Sequence, residues 1–209
     1  MWKRLMLVAA VALAVTVTTA AAAPRVAKIN DLSLELVGQV ANSPAGVSPA
    51  TSAQYGYLAY LRGLPVFSGD PQNETTARFT FYTSTTTVRV IANGPLRVIS
   101  REGTVTIYDD PSANGSFANP DSFRDGTPVM TAGLRQQVIL DTVTGAFTAL
   151  NRNTIISATP FPAGSGQLQL GKPGDTFKTV INGHVNTAGG SPSAYMAGYT
   201  VSGSDPSHH

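Results

Sequence analysis

The chain has no cysteine in 209 residues, and that absence removes several classes of function at once. A disulfide framework is excluded, so stability has to come from core burial and sheet closure. Thiol catalysis, thiolate metal sites and a lipidated amino-terminal cysteine go with it. Charge is also scarce, with Asp, Glu, Lys and Arg making up 12% of residues. Of three histidines, His208 and His209 close the chain and only His184 lies within its body. There is no G-x-S-x-G nucleophile elbow, phosphate-binding loop, dinucleotide fingerprint or H-E-x-x-H pair. No repeat of fixed period is visible, which argues against a propeller or a β-helix.

The one long apolar run sits at the amino end and has the form of a secretory leader. Met1-Trp2-Lys3-Arg4 is a short basic region, Leu5 to Val17 is apolar, and small residues crowd in at Thr19 to Ala23. Cleavage after Ala22 satisfies the A-x-A pattern, and the run is short for a bilayer span. The expected organisation is a signal peptide over residues 1–22 and an amino-terminal strand with a Pro/Ser-rich loop over 23–53. A β-domain over 54–203 and a disordered tail over 204–209 follow. Without Lys3 and Arg4 the fourteen basic residues become twelve, matching twelve acidic ones. A neutral, secreted chain with no membrane span after leader removal and no nucleic-acid partner is expected.

What is abundant is strand signal. Thr75 to Asp110 alternates apolar and polar residues at period two and is rich in Val, Ile, Thr, Phe and Tyr. Phe79 and Phe81 share one face, with Arg78, Thr80 and Tyr82 on the other. Asn93-Gly94-Pro95 marks a turn, after which the chain returns antiparallel. Val98 has even parity and Val105 and Ile107 odd, so this reading changes the buried face along the strand and puts a bulge or bend at Gly103. Similar runs occur at Leu32 to Val40, Gln54 to Leu61, Thr127 to Thr142, Ala146 to Ser157, Phe177 to Asn182 and Tyr195 to Val201.

The fold class is therefore all-β: a single antiparallel barrel of roughly eight to ten strands, or alternatively a two-sheet sandwich. The barrel is favoured because Gln136, Gln137, Asn151 and Asn153 fall in mid-strand. A dry sandwich core holds such groups poorly.

The run GDTFKTVINGHVN, a Gly-rich loop and then SAYMAGYTVSG resemble the closing hairpin of allene oxide cyclase-like and dirigent-like barrels. The matching positions are Gly189, Gly190, Tyr195, Gly198 and Gly203; the usual Gly-Thr-Gly turn is replaced by Gly189-Gly-Ser-Pro-Ser. The resemblance covers about a fifth of the chain. It implies a barrel with an apolar cavity and identifies no catalytic residue.

Candidate site residues follow from the barrel reading. Tyr55, Tyr57, Phe79, Phe81 and Tyr195 are candidate aromatic walls; Arg89, Gln136, Asn151 and His184 are candidate polar contacts. Plain core packing is the stronger reading for most of the aromatics. Arg78 and Arg89 are a possible anion-binding pair, although arginines on strands, Arg101 and Arg135 among them, more often cover an outer face. Asp109, Asp110, Asp121 and Asp125 surround one loop, but turn chemistry explains them better than calcium does, and no metal site or cofactor is expected.

The leading expectation is a non-catalytic binder of a small apolar or amphipathic molecule inside the barrel, with a homo-oligomer compatible with it. The alternatives are a cyclase- or dirigent-like protein that orients a reactive substrate, and a surface-interaction protein with no pocket. Both interior readings require a pocket of about 300 Å³ or more.

Overall fold

The computed structural model describes residues 23–186 and 190–201. The leader, Gly189, Gly203, His208, His209 and the tail lie outside the described residues. Eleven strands form: β1 (Arg25–Val26), β2 (Leu34–Asn42), β3 (Thr51–Leu61), β4 (Phe79–Asn93), β5 (Leu96–Asp109), β6 (Thr127–Asp141), β7 (Ala146–Ala158), β8 (Phe161–Ala163), β9 (Gly166–Gln169), β10 (Thr176–Val185) and β11 (Ala194–Val201). Eight of them close into one antiparallel barrel, in the cyclic order β2-β3-β4-β5-β6-β7-β10-β11. Closure leaves no open sheet edge around the wall, which satisfies the strand hydrogen bonds without disulfides. It also excludes the sandwich.

The barrel takes in β2, which pairs with β3 on one side and β11 on the other. The boundary drawn near residue 54 is thus displaced to Leu34, because the Pro/Ser-rich segment is a hairpin connection rather than a linker. The expected turns at Gly94-Pro95 and Val143 to Gly145 are where the chain reverses.

One end of the barrel is plugged. A small sheet, β1-β9-β8, lies under it and sends Phe161 and Leu168 into the same core as Leu34, Phe79, Ile107 and Ile155. Phe79 and Phe161 meet edge to face at 5.5 Å. Arg78 fastens the plug: Nε and Nη2 donate to the two Asp109 carboxylate oxygens at 2.7 and 2.9 Å, and Nη2 also reaches the Pro162 carbonyl at 3.1 Å.

The interior face of β5 is odd-numbered throughout, with Ile99, Arg101, Val105 and Ile107 all lining the interior. The expected change of face does not occur; Val98 simply lies on the outer side. Register shifts fall at Thr87/Arg89 and Ile107/Tyr108, not at Gly103. Gly103 has a different role: a Cβ there would run into the Ser84 carbonyl, so its absence lets β4 and β5 approach closely.

The outer faces of β5, β6, β7 and β10 carry Thr104, Arg135, Gln137, Arg152, Thr154 and Lys178, with exposed Ile139, Leu150 and Ile156 among them. Charged side chains in mid-strand, as at Arg135, Arg152 and Lys178, are costly on the lipid-facing band of a membrane-spanning barrel. Among the described residues no helix is long and apolar enough to cross a membrane.

Candidate functional site

Inside the wall, a belt of amides divides the interior. Gln54 crosses from β3 to meet Gln136 on β6 in a reciprocal pair of hydrogen bonds, 3.1 and 3.3 Å. Gln136 also donates to Asn151 on β7 at 3.0 Å. All three residues are buried, and their mutual bonds offset the loss of water. Gln136 and Asn151 are thus brought together as expected, but as a structural belt whose groups mostly satisfy one another.

Below the belt a cavity of about 30 Å³ remains, beside Phe81 and Asn153. Phe81 is 2% exposed and its Cζ packs where a Cβ on Gly38 would stand, at 2.9 Å from that position. Phe79 is fully buried nearer the plug. Both face inward as expected, and they fill the interior rather than line a space.

Above the belt a cavity of about 90 Å³ opens at the unplugged end. Its wall is apolar, formed by Val40, Ile99, Val138, Phe147, Ala194 and Met196, with Asn42 at the rim and Gln54, Gln136 and Arg101 as its polar groups. Neither interior space approaches the roughly 300 Å³ that both interior readings require, so a ligand enclosed in the barrel, bound or turned over, does not fit; what remains is a small mouth open to solvent.

Arg101 is the unusual group in this space. Nη2 reaches Asn42 Oδ1 at 3.3 Å and Nη1 reaches Gln136 Oε1 at 3.5 Å, both long. Its Nε is sealed from solvent and has no hydrogen-bond partner. No carboxylate lines the cavity. Burial lowers the Arg101 pKa, since desolvation penalises the charged form. A guanidinium does not deprotonate near neutrality, so the site holds a cation whose only acceptors among the described residues are two amide oxygens.

The other candidates stand elsewhere. Tyr55 and Tyr57 point outward from β3, where the loop between β5 and β6 folds over them. Tyr55 packs on Phe123 at 5.7 Å and Tyr82 at 6.2 Å, and Phe117 and Phe123 meet at 5.0 Å. Burial raises the pKa of both tyrosines. They are buried as expected but belong to an outer aromatic cluster, not to a lumen wall. Tyr195 and His184 are exposed on the outside, cross-strand neighbours on β11 and β10. Arg89 is exposed near the tip of the β4–β5 ribbon. Arg78 and Arg89 cannot form a pair, because Arg78 immediately precedes β4 and Arg89 lies far along it, roughly 35 Å away at the usual strand rise.

The four aspartates are all engaged. Asp109 takes Arg78, Asp110 caps Ser112 and Asn114, Asp121 pairs with Arg124, and Asp125 accepts from Asn114. Among the described residues no cluster of three or more metal-ligating side chains occurs.

Sequence reasoning placed Arg101 on an outer face. The signal that locates it was present: Arg101 shares odd parity with Ile99, Val105 and Ile107. Comparison with protein-family models, with curated proteins and with solved structures finds no match to this chain.

Proposed function

We propose that this protein is a non-enzymatic binder of a small amphipathic anion, held at the barrel mouth. The anionic head, a carboxylate, meets Arg101 and the short apolar body lies against the Val40, Ile99, Val138 and Met196 wall. The observation that carries the reading is the Arg101 guanidinium, half-buried beside an apolar cavity that no carboxylate among the described residues lines. A buried cation without a counter-charge is costly, and an incoming anion supplies the missing partner. The size of the cavity limits the ligand to a head group and a few carbons, with any longer body emerging from the mouth. A cyclase-like activity has less support, since acid–base work calls for a second ionisable group beside the first. A relationship to allene oxide cyclase-like or dirigent-like barrels is compatible with the eight-strand architecture and rests on the closing-hairpin pattern alone.

Export is part of the proposal. The leader pattern supports it, and amino-terminal sequencing of the secreted product should begin at or near Ala23; a stable product retaining Met1 in the cytosol would rule it out.

Titration calorimetry with hexanoate and with hexanol tests the binding claim. A charge-assisted hydrogen bond contributes about 1.5–3 kcal/mol, so the carboxylate should bind at least tenfold more tightly than the alcohol. Arg101→Met should abolish that preference. Equal binding of acid and alcohol, or a variant that keeps the preference, would overturn the assignment.

A further inference from the structure

The outer wall carries a row of cations that net charge does not reveal. Lys178 on β10 lies directly opposite Arg152 on β7, Arg152 opposite Arg135 on β6, and Arg135 opposite Glu102 on β5. Three positive side chains thus stand in register on adjacent strands, spanning roughly 10 Å at the usual strand spacing of about 4.8 Å. Like charges placed directly opposite destabilise a sheet. The single carboxylate in the row is at its end: Glu102 Oε1 lies 3.5 Å from Arg135 Nε, with those two side chains 55% and 80% exposed. So exposed a pair neutralises little.

A second row runs alongside, two residues on in β5 and β7 and two residues back in β6 and β10. Thr104, Gly133, Thr154 and Thr176 are successive partners across β5, β6, β7 and β10. Gly133 leaves a dip in it, so a shallow groove runs between the guanidiniums of Arg135 and Arg152 and the hydroxyls of Thr154 and Thr176. No large apolar side chain stands in these four-strand rows. Exposed Ile156, against Gly133, and Leu150 flank the rows singly, too few for the broad apolar face that inserts into a lipid surface, and no aromatic ring in the rows offers the stacking platform that single-stranded nucleic acid uses.

We propose that this groove binds an acidic polysaccharide, one bearing carboxylate or sulfate groups on a hydroxyl-rich backbone. The cations meet its anionic groups and the threonines exchange hydrogen bonds with its hydroxyls. Charge complementarity selects the polymer over neutral glycans, and the like-charge repulsion within the row is relieved when it binds. The site is on the outer wall and independent of the barrel mouth.

The test uses heparin as the probe, with neutral dextran, polyuridylate and phosphatidylserine vesicles as competitors. Two variants of equal net charge are compared. One is Arg135→Gln/Arg152→Gln/Lys178→Gln. The other, Arg25→Gln/Arg62→Gln/Arg89→Gln, removes three cations elsewhere. The native protein should bind heparin in a salt-dependent manner, and the row variant should bind at least about tenfold more weakly, with a salt slope smaller by roughly 2–3. The control variant should keep most of the affinity. The row variant should also melt no lower than the native protein, which separates lost binding from lost folding. Equal losses in both variants would reduce the effect to diffuse charge and overturn the site. Row-dependent binding that prefers RNA or vesicles to heparin would overturn the polysaccharide assignment, as would absence of heparin binding.

Discussion

Replacing Arg101 with methionine should make the unliganded protein more stable, although it removes two hydrogen bonds. Both bonds are long, 3.3 Å to Asn42 and 3.5 Å to Gln136, and together contribute no more than about 1 kcal/mol. Gln136 keeps its bonds to Gln54 and Asn151, so the amide belt survives. Against that loss stands the desolvation of an uncompensated charge; because Arg101 is half-buried, solvent at the mouth cuts the several kcal/mol of a fully buried ion to roughly 2–4 kcal/mol. Methionine retains much of the apolar stem and fits the apolar wall. The net expectation is a gain of about 1–3 kcal/mol, each kcal/mol appearing as roughly 2–4 °C in melting temperature at this chain length. The pH dependence has a definite sign. A cation whose folded pKa is lowered costs stability at every pH below that value, and the penalty is relieved only as the pH climbs toward arginine's ordinary range. The gain should therefore be flat across neutral pH. Urea denaturation followed by circular dichroism, in buffer free of organic anions, measures it directly. Addition of hexanoate at about a hundred times its dissociation constant should then stabilise the native protein by roughly 2.7 kcal/mol and leave the variant unchanged. A variant less stable than the native protein by more than about 1 kcal/mol would show that Arg101 is a satisfied structural strut, and the case for an anion at the mouth would fail.

Other perturbations test the frame around the site. Asp109→Asn leaves the Arg78 guanidinium half-sealed beneath the plug without its carboxylate, and should lower stability by about 2–4 kcal/mol in the same denaturation assay. Gly103→Ala forces a Cβ onto the Ser84 carbonyl and should cost about 3 kcal/mol or more, or prevent folding; a well-folded variant would contradict the close approach of β4 and β5. Phe81→Trp has no free volume to occupy against Gly38, so it should destabilise by about 1–3 kcal/mol rather than merely compete with a ligand. Asp141 accepts hydrogen bonds from the Val143 and Thr144 backbone, which lowers its pKa from the ordinary 3.8; the turn it caps should loosen only as the pH falls through that lowered value, and a carboxyl titration by NMR with a midpoint at or above 3.8 would contradict it.

Much of the architecture was written in local pattern. Period-two alternation, Gly94-Pro95 and the Val143 to Gly145 turn mark the strands and hairpins, because a half-buried strand must alternate and a tight reversal needs particular residues. The cysteine-free composition and the absence of a helical repeat belong to the same local information. Mid-strand amides pointed to an interior able to satisfy them, and Gln54, Gln136 and Asn151 do so by bonding to one another. Side-chain surroundings were not local. Tyr55 and Tyr57 alternate like residues of a lumen wall, yet a loop some sixty residues later supplies Phe117 and Phe123 to bury them from outside. Parity says that two residues share a face but not which face looks inward; on β5 that was decided by closure, which turned Ile99, Arg101, Val105 and Ile107 to the interior. The cationic row is the clearest case: Arg135, Arg152 and Lys178 are scattered over more than forty positions of a chain whose charge nearly balances, and only the register of three antiparallel strands sets them side by side.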